Sequence, residues 1–190
     1  NEYDLRMLVS NWLVKSYATL LQEKLDDDPD WDCWGQWEFG EPNGAGGTVT
    51  GNADPNSGLT GNNVYGVNLE GDYDLQVGGP YSLTAGPFDC SGFSDVVVKF
   101  SRWLNCDSER FVKCKFEVCA GRGEWHVMWE NKEAVTDSDW QSLDYDISGA
   151  ADGEDEVFLK WSYEVVSDNA NAYSGWNIDD VRLLGKPTGN

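Results

Sequence analysis

The sequence predicts an all-β fold, a two-sheet antiparallel jelly-roll sandwich, preceded by one N-terminal amphipathic helix. Three observations predict it. After Leu25 no apolar pattern of helical period recurs. In its place come short stretches rich in Val, Ile, Phe, Tyr and Trp, separated by turns of Gly, Asn, Asp and Pro. The last such stretch, Tyr173–Leu184, sets Asp179 and Asp180 side by side among apolar residues. Adjacent strand residues point to opposite faces, so one of these carboxylates points inward and needs a hydrogen-bond partner or a cation.

Residues 4–25 carry the predicted helix. Leu5, Leu8, Val9, Trp12, Leu13, Leu20 and Leu21 recur at spacings of three and four, with Tyr17 in the same stripe. Asp4 suits an N-cap, and Asp26-Asp27-Asp28-Pro29 stops the helix. This sets a division into residues 1–29, the helix, and 30–190, the sandwich. A stripe this apolar needs a partner, and those eight residues are the predicted assembly face for a second copy or another protein.

The strands follow in order. Trp31–Phe39 alternates Trp31, Cys33, Trp37 and Phe39. A loop from Gly40 to Asn63, dense in Gly, Asn, Pro and Asp, is long enough to imply a functional role or a ligand holding it. Val64–Leu69 and Tyr81–Ala85 read as strands. Asp95–Asn105 and Glu109–Ala120 read as a long hairpin turning near Asp107-Ser108. Trp125–Glu130, Trp140–Ile147, Glu156–Val165 and Gly175–Leu184 bring the total to roughly nine strands.

Charge and motifs narrow the function. The formal net charge is -21, with Asp+Glu 34 against Lys+Arg 13. Such a chain repels nucleic acid and anionic membranes and attracts divalent cations. No apolar run of ~18 residues is present to insert in a membrane. His126 is the single histidine, and there is no Cys-x-x-Cys, so a zinc site is not expected. With no Gly-x-Ser-x-Gly elbow and no phosphate loop, the residues point to a non-enzyme. The five cysteines are Cys33, Cys90, Cys106, Cys114 and Cys119. Cys114 falls in phase with Val112, Phe116 and Val118 and faces the core; Cys119 falls in phase with Lys113, Lys115 and Glu117. Cys106 is the better partner for a disulfide to Cys90 or Cys33, which suits a secreted protein.

Two sets of side chains can carry a site. Asn68, Glu70, Asp72 and Asp74 alternate and can converge on one face as a predicted calcium site of hard oxygens. Trp34, Tyr65, Tyr73, Tyr81 and Tyr173 lie near loops and are predicted stacking platforms for a glycan, whereas Trp103, Trp125, Trp129 and Trp161 read as core.

Two resemblances add to this. Asn1-Glu2-Tyr3-Asp4-Leu5, continuing through Asn11-Trp12-Leu13, resembles the second half of a dockerin-type calcium repeat. That implies a chain cut from something longer. Trp37-Glu38-Phe39-Gly40, Thr60-Gly61-Asn62-Asn63-Val64, Gly66-Val67-Asn68-Leu69, Gly71-Asp72-Tyr73, Phe100-Ser101-Arg102-Trp103-Leu104 and Tyr173–Val181 resemble MAM-type jelly rolls and the related modules of immune-inhibitor-A-like peptidases. The resemblance implies a secreted, extracellular or cell-surface module without catalysis, often with structural calcium, to which Asp179 or Asp180 adds a ligand, Asp179 being preferred. The expected function is protein–protein contact or self-assembly into a fibre, surface layer or adhesin. The alternative is carbohydrate binding through the loop aromatics.

Overall fold

The computed structural model describes residues 16–189. The described strands are β1 (Ala18–Glu23), β2 (Asp32–Cys33), β3 (Trp37–Gly40), β4 (Val64–Val67), β5 (Gly78–Phe88), β6 (Phe93–Cys106), β7 (Val112–Ala120), β8 (His126–Glu130), β9 (Val135–Thr136), β10 (Gln141–Asp146), β11 (Val157–Val165) and β12 (Gly175–Pro187), with one helical turn at Ser148–Ala151. They form two antiparallel sheets. The seven-stranded sheet runs β10-β6-β12-β4-β3, with β1 added to β12 and β9 to β6; the five-stranded sheet runs β2-β5-β11-β7-β8. The all-β sandwich expected from the sequence is present.

Strand alternation builds the core. In β7 the core-facing residues are Val112, Cys114, Phe116 and Val118; in β11 they are Val157, Leu159, Trp161, Tyr163 and Val165; Cys119 and Ser162, of the other phase, are buried as well. Phe100 of the opposite sheet meets Phe116 at 5.1 Å and Trp161 at 5.3 Å between ring centroids, both edge to face, the favoured geometry for aromatic pairs. Cys114 faces the core as its phase predicts. The complementary phase of β7 and β11 puts Lys113, Lys115, Glu117 and Lys160 on the open face of the five-stranded sheet, where they line one groove.

Several local expectations are corrected. Residues 18–23 form a strand rather than a helix, paired with Val181–Gly185. The ladder slips between Thr19 and Leu21. This irregularity lets Leu20 and Leu21 both pack on the core, so two consecutive apolar residues mimic a helical stripe. The remainder of the predicted helix, with Leu5, Leu8, Val9, Trp12 and Leu13, lies outside the described residues. The stretch Trp31–Phe39 is two strands in different sheets, parted at Gly35, whose φ is 82°. The predicted hairpin of β6 and β7 does not form. Those strands belong to opposite sheets, so their connection arches over the sandwich edge and their apolar sides face each other across the core.

At the end of the chain β12 pairs with both β6 and β4. Its register on β6 slips between Asp179 and Arg182, and Asp180 sits at φ 51°. This bulge breaks the alternation. Asp179 and Asp180 are therefore both buried, where regular pleating predicts one inside and one outside.

Candidate functional site

Among the described residues the exposed tryptophans, Trp34 and Trp125, stand at the two edges of the five-stranded sheet. Trp34 follows edge strand β2 and donates its backbone N–H to Ser82 O at 2.8 Å. Trp34 is 61% exposed, and its ring meets Tyr81 edge to face at 5.5 Å. Gly35 makes this possible. A Cβ there would come within 2.6 Å of the Tyr81 ring, so the backbone lies directly on the tyrosine. Beside the pair is a cleft lined by Gln36, Asp74, Gln76, Tyr81 and Tyr163. Gln36 Oε1 accepts from the Asp74 N–H at 2.7 Å and from the Tyr163 hydroxyl at 3.2 Å. These contacts order a row of amide and carboxylate groups next to an open indole.

At the opposite edge Trp125 precedes β8 and is 37% exposed. It is not a core residue, contrary to the sequence expectation. The Lys160 ammonium lies 3.9 Å from its ring centroid, a cation–π contact, and Lys160 also pairs with Glu117 at 3.0 Å. No strand pattern distinguishes Trp125, because it sits one residue before the strand starts.

The other predicted platforms are inside. Tyr65, Tyr73 and Tyr173 are buried. Tyr65 stacks on Trp31 at 5.3 Å and donates to Asp28 Oδ1 at 2.5 Å. Tyr73 lies between Tyr163 and Tyr173 and donates to Asn171 O at 2.8 Å. Burial, the first cause in each case, raises the pKa of all three hydroxyls. Of the predicted set only Trp34 and Tyr81 lie at the surface.

The predicted calcium ligands do not assemble. Among the described residues no three Asp, Glu, His or Cys side chains converge. Residues 68–74 form a turn, not a strand: Asn68 has φ 50°, and its amide closes on Asp72 O at 2.6 Å. The period-two argument therefore fails. Glu70 is exposed, Asp74 joins the Trp34 cleft, and Asp72 Oδ1 accepts from Gly47 N–H at 2.6 Å. Asp179 and Asp180 are held elsewhere by Thr60. Its N–H donates to Asp179 Oδ2 at 3.0 Å and its hydroxyl to Asp180 Oδ1 at 3.1 Å. Asp179 Oδ1 takes the Asp180 N–H at 2.7 Å. Burial, opposed by these backbone donors, pushes the Asp179 carboxyl up to about 6.

The residue the sequence reading missed is Asp54. It lies in the irregular stretch 41–63, which the structure straps across the sandwich end. Asp54 N–H donates to Ala45 O at 2.9 Å, Trp103 Nε1 to Ala53 O at 3.0 Å, and Asn52 N–H to Asn105 Oδ1 at 2.8 Å. Asp54 is buried, with Oδ1 accepting from Asn177 Nδ2 at 2.6 Å and Oδ2 without a protein partner. Burial pushes its carboxyl up to about 8 despite the Asn177 contact, and the charge of Asp72 adds to the rise. A lone Asp before Pro in a glycine-rich loop carries no sequence signal beyond a turn.

The predicted assembly residues within the described chain give no apolar face. Leu20 and Leu21 pack on the core, and Tyr17, though exposed, lies under the Lys186 ammonium at 5.1 Å. The five cysteines are all free thiols, so the predicted bridge from Cys106 to Cys90 or Cys33 is not formed.

No family model matches the chain. It is 28% identical over 155 residues to bacillopeptidase F of Bacillus subtilis (strain 168), covering 80% of this chain and 10% of that protein. The chain thus spans about a tenth of that relative's length. In structure it is similar to a carbohydrate-binding module, TmCBM61 in complex with β-1,4-galactotriose, with a TM-score of 0.53, 14% identity, and 89% and 99% of the two chains covered. It is also similar to the CBM22-2 xylan-binding domain of Paenibacillus barcinonensis Xyn10C, with a TM-score of 0.50, 11% identity, and 88% and 99% covered. At these identities the likeness is one of fold.

Proposed function

We propose that this chain is a non-catalytic, extracellular carbohydrate-binding module, with a glycan chain seated at the Trp34 edge and continuing along the open face of the five-stranded sheet. The carrying observation is the Trp34 indole, largely exposed yet fixed against Tyr81, beside the polar cleft of Gln36, Asp74 and Gln76. An apolar plane flanked by amides and a carboxylate matches a sugar ring, which has an apolar C–H face and a rim of hydroxyls. The fold-level likeness to modules whose names include xylan and galactotriose supports the same reading, as an analogy of scaffold. Self-assembly, the expected function, loses support because Leu20 and Leu21 belong to the core.

Affinity electrophoresis in gels containing soluble xylan, galactan or mannan, followed by calorimetry on the best ligand, tests the proposal. Trp34→Ala is expected to weaken binding about thirtyfold, roughly 2 kcal/mol, as for other exposed aromatic anchors. Its melting temperature is expected to stay near that of the parent. No retardation by any of the glycans, or an unchanged Kd for Trp34→Ala, overturns the reading.

A further inference from the structure

Three buried oxygens on adjoining side chains have no protein hydrogen-bond partner: Asp54 Oδ2, Ser174 Oγ and Asn177 Oδ1. All three residues are at most 3% exposed. Buried polar atoms are paired in the great majority of native structures, so three orphans in one place need an explanation. They are neighbours through direct contacts. Asp54 is bonded to Asn177, and the Ser174 hydroxyl lies beside the Asp54 carboxylate without completing a hydrogen bond. Asp72 adds a second carboxylate. Gly46, at φ 74°, fits between it and Ser174: a Cβ there would come within 2.8 Å of Asp72 Oδ1 and 2.9 Å of Ser174 Cβ.

We propose that Asp54, Asp72 and Ser174, with Asn177 orienting Asp54, form a binding site for a calcium-sized divalent cation that pins the 41–63 loop to the start of β12. Two carboxylates balance the charge of one such ion. The Ser174 hydroxyl supplies a neutral oxygen of the kind calcium accepts in irregular geometry. The constellation contains only two acids, so it differs from a cluster of three or more. It also differs from the Asp179 pocket, where both carboxylate oxygens already accept backbone N–H groups. Asp54 lies in a loop far in sequence from Ser174 and Asn177. Binding therefore adds to the bonds that already tie the loop down, from Asn177 to Asp54 Oδ1, from the Gly47 N–H to Asp72 and from Thr60 to Asp179 and Asp180. The alternative arrangement is a neutral, protonated Asp54 that donates to Ser174, with no ion.

The test uses the whole chain stripped with chelator and then titrated with terbium or calcium. Terbium emission excited through Trp103, whose indole bonds to the residue before Asp54, is expected to saturate and to be displaced by calcium. Calcium is expected to raise the melting temperature. Asp54→Asn is expected to lose both responses, Ser174→Ala to weaken calcium binding at least tenfold, and Glu133→Gln, an exposed acid outside the site, to keep both. A stripped chain whose melting temperature ignores calcium overturns the proposal in favour of the neutral arrangement. So does a calcium response that persists undiminished in Asp54→Asn. If that variant fails to fold, unchanged calcium affinity in Ser174→Ala overturns it equally.

Discussion

Two buried carboxylates tie the same irregular loop to β12, and they are satisfied in opposite ways. Asp179 sits at the β12 bulge with both oxygens accepting backbone N–H groups, from Thr60 and Asp180. Asp54 has one oxygen on a side-chain amide and the other on nothing the protein supplies. Burial raises both, to about 6 and about 8 respectively. Burial is the largest cause of each rise, and the donors that oppose it differ. Backbone N–H groups fixed by a bulge cannot turn away and stabilise the anion. A single amide opposed by the nearby Asp72 charge does less. The first arrangement is complete within the chain, while the second is complete only with a proton or a cation.

The largest expected effect breaks the complete site. Asp179→Ala strands two buried N–H donors and opens a cavity against the loop, and should cost about 3 kcal/mol or more in denaturant unfolding. Asp54→Asn, measured in chelator, should change stability by less than about 1 kcal/mol, because the amide replaces a carboxyl already largely neutral at pH 7. Equal losses in the two variants would show that the two sites are not different in kind.

The pH dependence sharpens the same contrast. Both folded-state values lie above the ordinary aspartate value of 3.8, so the folded chain holds these protons more tightly than the unfolded chain. Stability from that source is fully present below about pH 4 and is lost as pH rises through the folded values. In chelator, thermal unfolding should therefore show one fall toward about pH 6 from Asp179 and a further fall toward about pH 8 from Asp54. The second fall should vanish in Asp54→Asn and the first should remain. A melting temperature that rises steadily from pH 4 to pH 8 in Asp54→Asn contradicts the assignment.

Much of the fold was legible because alternation survives wherever a strand is regular. The phases of β7 and β11 give the core and the charged open face directly. Legibility fails where one residue is inserted. The slip between Thr19 and Leu21 makes a strand look helical, and the slip after Asp179 puts two neighbouring acids inside. It fails again where a local pattern is silent about partners. Nothing in the residues of β6 and β7 says that they face each other across the core instead of pairing. Of the site, Trp34 and Tyr81 were readable as aromatics near turns, whereas Tyr65, Tyr73 and Tyr173 carry the same local signature and are buried. Asp54 was unreadable, since its significance lies in Asn177, more than a hundred positions away along the chain.

The smallest expected effect separates the two acids of the bulge. Thr60 serves both, through its N–H to Asp179 and its hydroxyl to Asp180. Thr60→Ala removes the second bond and leaves the first, since the backbone donor is untouched. Asp180 keeps 9% exposure where Asp179 has none, and its carboxylate can recover part of its solvation from water. The loss should therefore be about 1 kcal/mol, well below that of Asp179→Ala. Thr60→Ser, which keeps the hydroxyl, should recover most of it. If Thr60→Ala costs as much as Asp179→Ala, the loop is tied to β12 through Asp180, and the fixed backbone donors are not what completes this site.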